Sequence, residues 1–126
     1  MADAEQNKQV VKGAYEGLAG GDVKAFLGVL HPEIEIHEPD ALPFGGTYRG
    51  TEEILGFMGK AAQVLAPGQL EVEHLVAEGD HVVAVIRLGL QSGGDARVTE
   101  HWLMRDGKAV EVRVFWFDPT VATASA

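Results

Sequence analysis

Ile34-Glu35-Ile36-His37-Glu38-Pro39 is the stretch whose reading decides the fold. Ile34 and Ile36 alternate with Glu35 and His37, the period of two expected of a half-buried strand. Glu38 has the parity of the isoleucines, so a carboxyl group points toward the core where the strand ends. Pro39 has no N–H to give and stops the ladder. Forcing a carboxylate inward costs several kcal/mol, about 2–7 even for a neutral polar group, unless it is paired, hydrogen-bonded or protonated. Glu38 is therefore the first candidate for chemistry.

The elements around this strand follow from spacing. Upstream, Val10, Ala14 and Leu18 recur every four residues with Val11 and Tyr15 one step round, predicting an amphipathic helix over about residues 4–19 that Gly20-Gly21 ends. Asp22 is a fitting N-cap for a second helix carrying Val23, Phe26, Leu27 and Leu30 at i, i+3, i+4 and i+7. His31-Pro32 closes it, and the strand occupies about residues 33–38. Downstream, the Pro- and Gly-rich stretch 40–50 reads as a loop, apolar enough at Leu42 and Phe44 to cover a pocket. Thr51 is placed to cap a third helix with Ile54, Phe57, Met58, Ala61 and Leu65 as its apolar stripe, and Pro67-Gly68 ends it.

The remainder reads as strands over residues 70–78, 81–91, 96–105 and 109–118, divided by Gly79-Asp80, Ser92-Gly93-Gly94-Asp95 and Asp106-Gly107. Helices first and a meander afterwards predict an α+β fold: three helices packed on one face of a strongly curved, mainly antiparallel sheet. Parity within the meander is informative. Val82, Ala84, Ile86, Leu88 and Leu90 form one apolar face; Val98, Trp102 and Met104 share theirs with Glu100; Val110, Val112, Val114 and Trp116 share another. Glu100, like Glu38, sits on the apolar parity of its strand. Two separate strands thus each direct one acid inward.

The bulk numbers bound the rest. The 126 residues, 46% hydrophobic and 23% charged, suit one domain, 1–126, with a tail at 120–126 expected to fray. A net charge of −9 argues against nucleic acid and anionic membrane as partners. The absence of cysteine excludes disulfides, thiolate metal sites and a thiol nucleophile, and fits the cytoplasm. No apolar run is long enough to span a membrane, and the polar start is unlike a targeting peptide. No cofactor-binding glycine motif occurs, so no cofactor is expected. His31, His37, His74, His81 and His101 lie on different elements without H-x-x-x-H or H-x-H spacing, so no metal is expected either. Phe115, Phe117 and Leu103 on the outer sheet face predict a homodimer.

The Gly21-Asp22 pair between two helices, the acid-Pro at Glu38-Pro39, the Leu42-Pro43-Phe44-Gly45-Gly46-Thr47-Tyr48-Arg49-Gly50 stretch and the closing Asp106-Gly107-Lys108 together resemble the NTF2-like superfamily. Within it, the ketosteroid isomerases and SnoaL-like polyketide cyclases are most similar, over about residues 10–118. The resemblance implies a cone-shaped fold enclosing a pocket and a homodimer through the outer sheet face. It implies Glu38 as general base and Glu100 as a protonated oxyanion donor. The isomerase's helix-1 tyrosine aligns without gaps to Ala14, one residue from Tyr15, and its third-helix tyrosine to Met58. The expected catalytic set is Glu38, Glu100 and Tyr15. The expected pocket walls are Phe26, Phe57, Met58, Ile86, Val98, Trp102, Val112, Val114 and Trp116.

The chemistry expected is isomerisation, cyclisation or dehydration of a small apolar carbonyl compound, steroid-like or polyketide-like, by proton movement beside the carbonyl. The rivals are a non-catalytic ligand-binding or dimerisation module and epoxide hydrolase-like water activation. The last needs an arginine in the pocket, which the parity of Arg87, Arg97 and Arg113 does not provide. The bland reading of Glu100 is an ion pair with one of these arginines, and that of Glu38 a strand-end carboxylate accepting from loop N–H groups.

Overall fold

Asp3 opens the first helix, α1 (Ala4–Ala19), through a capping box in which Asp3 and Gln6 satisfy each other's backbone N–H groups. The computed structural model describes residues 3–123 of the chain. Asp22 caps α2 as expected, its carboxylate accepting from the N–H of Ala25, but α2 is one short helix, Val23–Leu27. Leu30, expected in that helix, instead begins β1 (Leu30–Glu38), so His31-Pro32 lies within the strand. The parallel partner strand carries it: the N–H of Ala109 donates to Val29 O and Leu30 pairs with Ala109.

The stretch expected to be all loop contains β2 (Gly46–Arg49), antiparallel to β1. α3 (Gly50–Ala61) starts one residue before the expected cap at Thr51, and Glu53 rather than Thr51 closes its start by accepting from the N–H of Arg49. Then come β3 (Leu65–Glu78), β4 (His81–Leu90), β5 (Asp95–Arg105) and β6 (Lys108–Trp116). β3 begins earlier than the sequence suggests, passing through Pro67-Gly68 by a register shift between Ala66 and Glu71. Asp106 and Gly107 both take positive φ, 52° and 78°, as a two-residue hairpin turn of the mirrored type requires.

The six strands lie in the order β2-β1-β6-β5-β4-β3, antiparallel except for the β1–β6 pair. The sheet curls into a half-barrel, and its irregular registers at β1–β6, β3–β4 and β5–β6 fit that curvature. α1 lies against β3 and β4, and α3 against β1 and β2, so the concave face is covered. The α+β architecture is the expected one.

One parity expectation fails. The β5–β6 shift places Leu103 opposite Glu111 but Met104 opposite Ala109, leaving Val110 as the extra residue. Ala109 is fully buried in its place, and Val110 is only half-buried. The tail also departs from expectation: residues Thr120–Thr123 form a short helix, α4, with Ala122 buried, while 124–126 lie outside the described residues. No helix among the described residues is long and apolar enough to cross a membrane.

Candidate active site

The concave side of the sheet and the two longer helices enclose a cavity of about 130 Å³. Its sheet wall comes from alternate residues of four strands: Ile36, Ile86, Leu88, Trp102, Val112 and Val114. Tyr15, Leu18 and Phe26 close one side, and Phe57, Met58, Ala61, Leu65 and Trp116 another. Two charged-type residues open onto it, Glu38 and Glu100.

The loop between β1 and β2 packs behind the Phe57 and Trp116 wall. Phe44 packs edge-on against Phe57 and tilted against Trp116, each at 6.0 Å between ring centroids. Leu42, Phe44, Ala61 and Ala122 form a second small core there. Tyr48 holds the loop by donating its hydroxyl to the carbonyls of Phe44 and Gly45, at 2.9 and 3.3 Å. Leu42 and Phe44, expected to cover the pocket, do not line it; they pack in this second core against Phe57 and Trp116, which do.

The donors near Glu100 form a chain. Trp102 Nε1 donates to the Tyr15 hydroxyl at 2.8 Å, and Tyr15 donates to Glu100 Oε1 at 2.5 Å. Of the neighbours Ala14 and Tyr15, it is Tyr15 that reaches the cavity; Ala14 is buried beside it with nothing to donate. Burial pushes the Glu100 carboxyl above its usual range, and the Tyr15 hydroxyl pulls it back by favouring the carboxylate. Tyr15 is held well above its ordinary value, by burial first and then by the charge of Glu100.

Glu38 is 9% exposed, and its carboxyl is pushed up to about 9. Burial is the main cause, Glu100's charge adds to it, and the nearby Trp116 indole N–H opposes it. Neither Glu38 Oε1 nor Trp116 Nε1 has a hydrogen-bond partner among the described residues. The strand-end carboxylate accepting from loop N–H groups is therefore not what forms. Two carboxyl groups in so apolar a space hold at most one negative charge near neutrality. Tyr15 favours the charged form of Glu100, whereas burial and the charge of Glu100 favour the neutral form of Glu38; the resemblance implies the opposite distribution.

The structure brings Glu38, Glu100, Tyr15, Phe26, Phe57, Met58, Ile86, Trp102, Val112, Val114 and Trp116 around one cavity. Val98 is the exception: it is buried, 2% exposed, but does not line the space. Parity fixes which face of a sheet a residue takes, not how far along the cavity it falls. Leu18, Ile36 and Leu88 join the wall from stripes already visible in the sequence, whereas Leu65 and Leu70 enter on a strand whose start the sequence hid.

Arg87, Arg97 and Arg113 lie outside the cavity and pair with Glu71, Glu73 and Glu111 at 2.5, 2.6 and 3.0 Å. None pairs with Glu100, so the ion-pair reading of that residue does not hold. No arginine lines the cavity among the described residues, which removes the group that the epoxide reading needs. Outside the cavity, the parallel β1–β6 register sets Glu35 against Glu111. Their carboxylates flank His37 Nε2 at 3.4 Å each, so these three could hold a metal ion. Linear motif spacing could not reveal this cluster. Arg49 and Arg113 already pair with its two acids.

Residues 11–112 match the SnoaL-like domain family. No curated protein matches the chain. Among solved structures, an NTF2-like protein from Burkholderia thailandensis superimposes with a TM-score of 0.84 at 24% identity, covering 99% of this chain and 98% of that one. TerC, co-crystallised with polyporic acid, gives 0.80 at 26% identity over 94% and 95%. A protein of unknown function with a cystatin-like fold from Xanthomonas campestris gives 0.82 at 25% identity over 94% and 96%.

Proposed function

The chain belongs to the SnoaL-like domain family, and from that premise we propose that it is a cofactor-independent acid–base enzyme acting on a small, apolar, enolisable carbonyl compound. The observation that carries this reading is the pair Glu38 and Glu100. They arrive from separate strands, share one buried apolar cavity, and both have carboxyl groups raised by burial. Acids poised in this way move protons near neutrality rather than fix structure. In the reaction, the carboxylate of the pair removes a proton next to the substrate carbonyl. The opposing donors stabilise the enolate, and the captured proton returns to another carbon in an isomerisation or leaves with a hydroxyl in a dehydration.

Cavity size narrows the substrate. About 130 Å³ is close to the roughly 150 Å³ that holds one benzene ring. A steroid exceeds that space, so a one-ring substrate fits better. The same apolar lining would also suit a passive binding module, which is the second reading. The wider proposal is a cytoplasmic homodimer joined through the outer sheet face, where Phe115 is 55% and Phe117 88% exposed.

The test is exchange of α-protons of one-ring cyclic ketones in deuterated water, followed by NMR. Exchange above the buffer rate that falls at least tenfold in both Glu38→Gln and Glu100→Gln supports the enzyme. Ligand binding without exchange in wild type would leave the binding module.

A further inference from the structure

Every buried donor and acceptor of the cavity can be followed to a partner except two. Trp102 Nε1 is taken by Tyr15, and the Tyr15 hydroxyl by Glu100 Oε1. Trp116 Nε1 and Glu38 Oε1 are buried and line the same space; the indole is near enough to Glu38 to favour its charged form, yet neither atom makes a hydrogen bond of ordinary geometry among the described residues. Leaving such atoms unpaired costs about 1–3 kcal/mol each, and a group that faces a ligand space is satisfied when the ligand arrives. The Tyr15 hydroxyl is in the opposite position. Turning it toward a substrate would strip Glu100 of the one side-chain donor it has among the described residues.

We infer that Trp116 Nε1–H and the neutral Glu38 carboxyl group together bind the enolate oxygen, while Glu100, held by Tyr15, is the carboxylate that takes the proton. This rests on the acid–base reading above and reverses the two acids relative to the isomerase resemblance. Trp116, at the end of β6 against Phe44, becomes a catalytic residue. The proton balance is simple. The substrate C–H bond breaks, its proton passes to Glu100, and the electron pair moves onto the carbonyl oxygen between Trp116 and Glu38. Reprotonation from Glu100 at another carbon restores the starting state.

The inference is decided by which substitution imitates the intermediate. After proton transfer the base is neutral and the negative charge is on the ligand. An anionic enolate mimic should therefore bind best when the true base is replaced by its neutral isostere. The probe is 4-nitrophenol, whose bound ionisation state is read by absorbance, titrated against wild type, Glu38→Gln, Glu100→Gln and Trp116→Phe. The expected result is phenolate binding that tightens about tenfold or more in Glu100→Gln and weakens about tenfold in Trp116→Phe, the scale of one hydrogen bond to a charged acceptor. In wild type, the Trp116 indole N–H resonance should move downfield on binding while that of Trp102 stays, a readout that needs no folded variant. Tightening in Glu38→Gln instead, with Trp116 unmoved, overturns the assignment and leaves the enzyme reading standing with the resemblance's roles. No phenolate binding in wild type or Glu100→Gln overturns both.

Discussion

The hydroxyl of Tyr15 lies 2.5 Å from Glu100 Oε1 and accepts in turn from Trp102 Nε1. A helix residue and two strand residues are thereby linked in one chain, which holds Glu100 in the cavity that Glu38 also lines. Tyr15→Phe removes the middle link and leaves both a carboxyl oxygen and an indole N–H unpaired. The expected cost is about 1–3 kcal/mol in denaturant unfolding. Because Tyr15 lowers the Glu100 carboxyl, its loss should also move the acid limb of the pH–activity profile upward. A profile that stays in place would mean that Glu100 is not the group being read.

Glu38 sets a pH dependence of stability. Folded, its carboxyl titrates near 9, against a starting value of 4.5. Between those values the folded chain keeps a proton that the unfolded chain releases, so stability is greatest below the window and falls as pH rises through it. The slope approaches about 1.4 kcal/mol per pH unit for one proton. Glu38→Gln should flatten this decline and unfold at a higher temperature than wild type at pH 8. Parallel melting curves for the two proteins from pH 6 to 8 would refute the assignment.

Gly45 is where the loop between β1 and β2 passes closest to the strand end. A Cβ there would sit 2.3 Å from the Pro39 carbonyl oxygen and 2.8 Å from Asp40 Cα. Both neighbours are backbone, so the clash is not relieved by a side-chain rotation. Gly45→Ala should destabilise by about 1–3 kcal/mol and loosen the Phe44 packing, measured as faster proteolysis within the loop. A variant as stable as wild type would place the loop elsewhere.

Ligand size is a direct check on the cavity. One-ring phenols should bind more tightly than three- or four-ring compounds of the same acidity. Met58→Ala enlarges the pocket away from both acids; it should narrow that gap in affinity at a stability cost of about 2 kcal/mol. Tighter steroid binding by the wild type, measured by calorimetry, would show that the cavity expands readily.

The outer face offers a last prediction. Phe115 projects from β6 at 55% exposure and Val76 from β3 at 61%. Phe115→Glu should convert a sedimenting dimer into a monomer with little change in folding, since the side chain is not in the core. A wild type that sediments as a monomer at micromolar concentration removes the dimer proposal.

How much of this was legible in the sequence depends on the range over which each feature is encoded. The period-two alternation of Ile34, Ile36 and Glu38, and of Val98, Glu100 and Trp102, determined that two acids face inward. In a regular strand side-chain direction alternates residue by residue, so parity alone assigns the face wherever no bulge intervenes. The turn at Asp106-Gly107 and the cap at Asp22 are local in the same sense, and both form as read.

Tertiary pairing decided the rest. Leu30 continues a helical stripe by spacing, yet the backbone bond from Ala109 to Val29 draws it into the sheet. Val110 has inward parity on paper, and a bulge in its own strand, set by the pairing with β5, moves it aside. Ala14 and Tyr15 are both on the buried side of α1, and only the crossing of that helix over the sheet sets the hydroxyl of Tyr15 on Glu100. Likewise, two inward carboxyl groups are a sequence fact, but their shared charge is not. It depends on burial from several elements and on which of them receives a donor, quantities that exist only once distant strands and helices enclose the same space.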